Sequence, residues 1–321
     1  MQNIKYFLYR NLGKKYRNFI LDKRAMLFNL SYLKNFGFCR VKNKNTFYFV
    51  LDSKFKHHPG LADRLKAIAG CYYIAKSNGY NFKIVDMLDN LPNYLVPSKV
   101  NWIAKPSELE YSILETKLIA YSASAYKHHS KLTPNRQYQC HIYRGDDLFF
   151  QNGLEYEKKF YALFNELFKP SQLIEDALSS VALKPEEYCA IHVRFVNALE
   201  AFESSRYPTL PKDKAEDLVI RCIAALKKIV QQETNPVVVF SDSSFFLERA
   251  KETGAIVLST TNITHMSFDN SVAALSKMYL DFFLISRAAK VYRLQSKNLR
   301  PTNFSVYAAL AGGKTIEDIN I

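Results

Sequence analysis

With 321 residues, 48% of them hydrophobic, the chain has the length of two ordinary domains and enough apolar content to give each a core, which excludes disorder. No apolar run approaches the roughly 20 residues a membrane-spanning helix needs. The start, MQNIKYFLYRNLGKKYRNFI, has neither an apolar h-region nor a small-residue cleavage site, so no secretory signal is expected.

The net charge is +14, and its placement matters more than its size. Residues 1–45 hold eleven Lys/Arg and one acid, Asp22, so this segment carries +10. Its cations alternate with Phe, Tyr, Leu and Ile, a pattern that suits the surface of an anionic bilayer. A solvated basic arm and a nucleic-acid contact are the other two readings, and the rest of the chain is not basic enough to favour nucleic acid.

Strand and helix signals begin at Thr46. TFYFVLD (46–52) is β-branched and aromatic and reads as a buried strand. After the loop KFKHHPG, Leu61, Leu65, Ile68, Tyr72 and Ala75 recur at steps of four and three, which predicts a helix stopped by Gly79. NFKIVDM (81–87) is the next strand, completing a strand–helix–strand unit of a parallel sheet. Residues 88–138 read as irregular, with one helix near 107–121, and QCHIY (139–143) as a strand. EYEKKFYALFNELF (155–168) is an amphipathic helix, and Lys169-Pro170-Ser171 breaks the pattern. The boundary between the two main domains, 46–170 and 171–321, is placed there. In the second, strands are expected at 188–194, 236–240, 255–258 and 290–294. They alternate with helices at 213–232, 243–254, 271–287 and 303–311, the order of a doubly wound Rossmann-like domain.

Ligands of such sheets bind outside the carboxyl ends of the strands. The residues there are His192-Val193-Arg194, then Ser241-Asp242-Ser243, then Thr302-Asn303-Phe304-Ser305 at the start of the last helix. A sugar nucleotide asks for this inventory, because its diphosphate is the leaving group and positive charge must meet the negative charge that grows on it. Arg194 can grip phosphate oxygens in a bidentate manner, and open helix amides near Thr302–Ser305 can supply further donors. Asp242 suits N–H groups of guanine or ribose hydroxyls. Each has a plainer role as well: an ion pair for Arg194, a satisfied core position for His192, helix caps for Asp242, Ser243, Thr302 and Ser305.

These motifs resemble the donor-binding domain of the GT-B fucosyltransferases, the α1,2, α1,6 and protein-O-fucosyltransferase relatives. HVR (192–194), SDS (241–243), NFS with AAL behind it (303–310) and, upstream, HPGLADRLKAI (58–68) carry the likeness across roughly residues 46–312. The resemblance implies two Rossmann-like domains facing across a cleft, acceptor side first and donor side second, and metal-free transfer of fucose from GDP-fucose with inversion. It implies Arg194 on the β-phosphate, His192 and Asp242 on ribose or guanine, and Thr302, Asn303, Phe304 and Ser305 around the diphosphate. Many relatives follow HxR with a second Arg and an Asp, whereas Phe195-Val196-Asn197 stand here. Some α1,6-type relatives carry a catalytic Glu in an EAAF-like stretch, which Glu200-Ala201-Phe202 resembles. Glu200 is then the base that inversion requires, with Glu203 as second choice and a solvated surface acid as the plain reading.

On the acceptor side, His141, Arg144 and Asp146 form a second HxxRGD-like match, and Gly60, Asp63 and Arg64 enter a helix, either to approach a ligand or as a turn with a salt bridge. Adjacent His57-His58 and His128-His129 do not share a face, and the chain has no D-x-D, so no metal or other cofactor is expected. Five scattered cysteines suggest a reduced, cytosolic protein without structural zinc. The expected partners are a nucleotide sugar, a glycan or lipid-linked glycan acceptor of the surface-polysaccharide kind, and the inner membrane face through residues 1–45. A GT-B enzyme using another nucleotide sugar is the near alternative. A non-catalytic membrane or nucleic-acid binder on a transferase-like fold is the far one.

Overall fold

The β-branched runs close into parallel sheets in the computed structural model, which describes residues 23, 25–55, 58–88, 90–121, 131–143, 155–196, 198–199, 209–258, 271–299 and 302–321. The chain runs β1 (Thr46–Leu51), α1 (Leu61–Ser77), β2 (Asn81–Asp86), the single turn α2 (Leu91–Tyr94), β3 (Leu95–Pro97), β4 (Ile103–Ala104), β5 (Thr116–Tyr121) and β6 (Gln137–Tyr143). It continues through α3 (Glu155–Leu167), β7 (Phe168–Pro170), α4 (Gln172–Ser180), β8 (Cys189–Val193), α5 (Lys212–Gln232) and β9 (Val237–Ser241). The last elements are α6 (Ser244–Ala250), α7 (Val272–Ser286), β10 (Lys290–Gln295), α8 (Phe304–Ala311) and β11 (Ile316–Asn320). Two compact units emerge: Met1–Lys56, Gly70–Asp89 and Asn101–Leu148 in the first; His57–Ala69, Asn90–Val100 and Phe149–Ile321 in the second.

The first unit holds a five-stranded sheet in the order β4-β2-β1-β6-β5, parallel at every pairing. The helix expected near 107–121 is absent; a 3₁₀ turn (Pro106–Glu108) and β5 stand there. Side chains explain the difference. The Glu110 amide donates to Gln137 Oε1 at 3.0 Å, and its carbonyl accepts from Gln139 Nε2 and Thr116 Oγ1, both at 2.8 Å. Backbone groups that a helix would pair internally are therefore already satisfied by β5 and β6.

The second unit holds β11-β10-β8-β9, again all parallel. The strand expected at 255–258 survives as one bridge, Ile256 to Val238, and β11 was not foreseen because IEDIN is the half-polar pattern of an edge strand. Along β8 the side chains alternate. Cys189, Ile191 and Val193 join a core with Leu218, Cys222 and Leu226 of α5 and Phe246 and Leu247 of α6. Truncating one such leucine costs about 2–5 kcal/mol. His192, between them, faces the other side of the sheet, where its ring lies 5.7 Å from that of Phe304 on α8. Behind α8, Gly312 lets two backbones touch: a Cβ there would lie 1.8 Å from the Ser286 carbonyl oxygen of α7.

In both sheets the chain order reverses beside the first strand, between β1 and β6 and between β8 and β10. A crevice outside the carboxyl ends forms at such a reversal.

Candidate functional site

At the second sheet's reversal, β8 ends in His192, Val193 and Arg194. Arg194 Nε stands 3.8 Å from Asp242 Oδ2, an ion pair longer than a hydrogen bond. Asp242, just past β9, accepts the amides of Phe195 at 2.7 Å and Val196 at 2.8 Å, one on each oxygen. Val196 sits at φ 56°, a left-handed conformation that costs a β-branched residue roughly 1–3 kcal/mol. The carboxylate therefore holds a strained turn directly after Arg194. It is not the cap of α6, which is Ser243 accepting from Phe246 N at 3.2 Å. Burial raises the Asp242 carboxyl from its ordinary value against the opposing pull of Arg194 and the two amides. Ser241 Oγ accepts from Ser243 N at 3.2 Å and stays local.

The turn into α8 is braced from the sheet. Arg293 of β10, paired in register with His192, donates from Nε and NH2 to the Asp318 carboxylate at 2.7 and 2.8 Å, and from NH1 to the Thr302 carbonyl at 2.8 Å. Thr302 Oγ1 accepts from Phe304 N at 3.1 Å, so its cap role is filled. Asn303, exposed, makes no side-chain cap bond. Phe304 packs between the rings of His192 and Phe282.

His192 Nδ1 and Ser305 Oγ are buried in this region with no hydrogen-bond partner among the described residues. Such groups cost free energy unless something satisfies them. The imidazole is pushed down to about 3 by burial first, then by Arg194, Arg293 and Lys277, so it is neutral at neutral pH. Lys277 and Asp281 form an i,i+4 pair on α7, and burial raises the Asp281 carboxyl. The result is a neutral, incompletely satisfied histidine near three cations, each with a carboxylate of its own, at the start of a helix.

Gly60, Asp63 and Arg64 fall in the second unit. The Gly60 carbonyl accepts the Arg64 amide at 3.0 Å, and Arg64 is buried with Nε donating to the Pro59 carbonyl at 2.8 Å. Asp63 pairs with Lys66 at 2.6 Å instead of Arg64, and the buried Lys66 ammonium lies 5.1 Å over the Tyr307 ring of α8. Two of the three residues are thus occupied in structure.

His141, expected to line the acceptor side, is fully buried beside the first sheet's reversal. Its Nδ1 is 2.7 Å from Asp52 Oδ2 and its Nε2 is 2.9 Å from Gln139 Oε1. Gln139 cannot be turned around, since its Nε2 donates to the Glu110 carbonyl at 2.8 Å and to Gln137 Oε1 at 2.7 Å. The ring is thus held between the Asp52 carboxylate on one side and the Gln139 amide oxygen on the other. Tyr32 also donates its hydroxyl to Asp52, and the Lys54 amide donates to Asp52 Oδ1 at 2.9 Å. His141 is a buried hydrogen-bond partner of Asp52, not a surface group.

Glu200, Glu203, Arg144 and Asp146 lie outside the described residues. Sequence reading passed over Arg293, Lys277 and Asp281. For the last two the signal existed: they are the sole charges on α7, otherwise apolar or small (VAALSKMYLDFFLIS). Arg293 gave none, because its partner strand was not recognised. Among the described residues no three or more His, Cys, Asp or Glu gather as a metal group, and no helix is long and apolar enough to cross a membrane.

The sequence matches no family model and no curated protein. Solved structures do resemble it. POFUT1 in complex with GDP aligns at TM-score 0.41 and 12% identity over 86% of this chain and 99% of that one, and POFUT1 with GDP-fucose at 0.42 and 12% over 86% and 98%. A point variant of Arabidopsis thaliana FUT1 in complex with GDP aligns at TM-score 0.50 and 13% identity, covering 99% of this chain and 77% of that chain. At such identity the likeness is one of fold: this chain shares with the FUT1 structure a mixed α/β architecture built on parallel sheets.

Proposed function

We propose that the chain is an inverting, metal-independent glycosyltransferase of the GT-B kind, with GDP-fucose as donor. The observation that carries this reading is the pair of unsatisfied buried atoms, His192 Nδ1 and Ser305 Oγ, at a sheet reversal beside Arg194, Arg293 and Lys277. A diphosphate offers hydrogen-bond acceptors to both atoms and further charge to the guanidinium. FUT1, whose fold the chain shares, binds GDP, which favours guanine over other bases. Since Asp242 is engaged by two amides, the base is left to other groups, and another nucleotide sugar is the second reading.

In this scheme the second unit's sheet holds the donor, and the acceptor is a glycan or lipid-linked glycan at the inner membrane face. The acceptor oxygen bonds to sugar C1 as the bond from C1 to the β-phosphate oxygen breaks. Its proton passes to Glu200, or to Glu203, and GDP leaves with the bond's electron pair. Arg194 and the first amides of α8 meet the charge that develops on the diphosphate. The test is a melting assay with GDP, UDP, ADP and TDP, followed by labelled GDP-fucose with a glycan panel. GDP should stabilise most, by about 2.7 kcal/mol at a hundredfold excess over Kd. Stabilisation by another nucleotide alone ends the fucose assignment. Arg194→Ala should lower turnover by roughly 10²–10³; unchanged turnover would remove Arg194 from the donor site, and no transfer by the parent would favour a non-catalytic binder.

A further inference from the structure

Residues 25–42 carry a feature that sugar transfer leaves unused. The helical residues 25–30 and the turn after them lie on the first unit by one face. Tyr32 is buried, stacks on Tyr111 at 5.6 Å and bonds Asp52, while the Phe28 ring meets Phe55 at 5.6 Å. The intervening positions point outward: Met26 and Leu30 are exposed, Leu27 is 66% and Leu33 58% exposed, and Phe38 is 89% exposed. Single exposed leucines mean little, but five large apolar side chains within thirteen residues of an anchored segment form a patch that calls for a cover. The stretch is pinned in place as well. The Gly37 amide donates to the Tyr111 carbonyl at 2.9 Å and the Ile113 amide to the Gly37 carbonyl at 3.1 Å, bringing exposed Ile113 and Leu114 alongside.

Charge identifies the cover. Residues 23–45 contain Lys23, Arg24, Lys34, Arg40, Lys42 and Lys44 and no acid. Glu115 engages Lys44 at 2.7 Å, whereas Lys34, Arg40 and Lys42 have exposed side chains. We propose that this face docks flat on an anionic lipid surface, its aliphatic and aromatic side chains shallowly buried and its cations among the headgroups. A second copy of the chain fits poorly, because a two-fold contact sets each patch against itself and brings like charges together. Nucleic acid would leave the five apolar side chains without a role. The inference is independent of which nucleotide sugar is used.

The experiment is co-sedimentation of the full chain with vesicles of phosphatidylcholine alone or mixed with phosphatidylglycerol, alongside analytical ultracentrifugation without lipid. Binding should be confined to the mixed vesicles and weaken with added salt. Lys34→Gln and Arg40→Gln should each weaken it about fivefold. Leu27→Gln combined with Leu30→Gln should abolish it with no change in melting temperature, and Ile220→Gln, an exposed apolar site on α5, should leave it intact. The proposal is overturned by equal binding to both vesicle types, by no binding to the mixed ones, or by a Leu27/Leu30 variant that binds like the parent. It is also overturned by a lipid-free dimer that this variant dissociates.

Discussion

Asp52→Asn keeps the side chain's shape and removes its charge. The carboxylate accepts from the Lys54 amide at 2.9 Å, from His141 Nδ1 at 2.7 Å and from the Tyr32 hydroxyl. An asparagine has one oxygen for these donors. With that oxygen toward Lys54, its NH2 opposes the His141 N–H; turned around, it opposes the Lys54 amide. Either way bonds to a charged carboxylate are lost, which costs about 1.5–3 kcal/mol. Tyr32→Phe removes one bond to a charged group and should cost about 1.5–3 kcal/mol. Melting followed by circular dichroism should show the first unit of the Asn variant unfolding on the order of 10 °C earlier. The pH dependence provides a second reading. Burial pushes the Asp52 carboxyl up, but the bonds from His141, Tyr32 and the Lys54 amide outweigh it and hold the group below its ordinary value. A depressed folded value contributes stability in full above the unfolded value of about 3.9, lost as pH falls through the folded value. The gap between parent and variant should therefore be constant at neutral pH and shrink below about pH 4. A gap under about 1 kcal/mol at pH 7, or one that persists undiminished in acid, refutes the role given to the Asp52 carboxylate.

Asp318→Asn leaves Arg293 without its bidentate partner and frees the Thr302 turn; titration with GDP should show affinity down on the order of tenfold, about 1.4 kcal/mol, and unchanged affinity would separate the brace from the ligand. His192 is held down to about 3 while its unfolded form titrates near 6.5, so the unfolded chain takes up the proton first and stability should fall as pH drops from about 6.5 toward 3. A His192→Asn variant melted across that range should lack this component. Gly312→Ala drives a methyl into the Ser286 carbonyl and should destabilise the second unit by about 1–3 kcal/mol or more; an unshifted melting curve would mean that α7 and α8 do not pack as described.

Most strands and helices were legible because their burial is simple: TFYFVL and VVVFS are covered on both faces, and the 212–232 stripe meets one core. Residues 107–121 were misread because side chains of Gln137, Gln139 and Thr116, distant or polar, decide their backbone pairing. Periodicity carries no trace of that. In the site, His192, Arg194, Thr302 and Ser305 could be named from their places at strand and helix ends. The roles of their neighbours could not. Asp242 faces amides only because Val196 is left-handed, and Arg293 reaches Thr302 only because β11 supplies Asp318.

The tie between Asp242 and the amides of Phe195 and Val196 works as a firebreak. The guanidinium of Arg194 takes its position from two adjoining strands, β8 and β9, so whatever follows Val196 can be lengthened, shortened or rewritten without dragging it out of place.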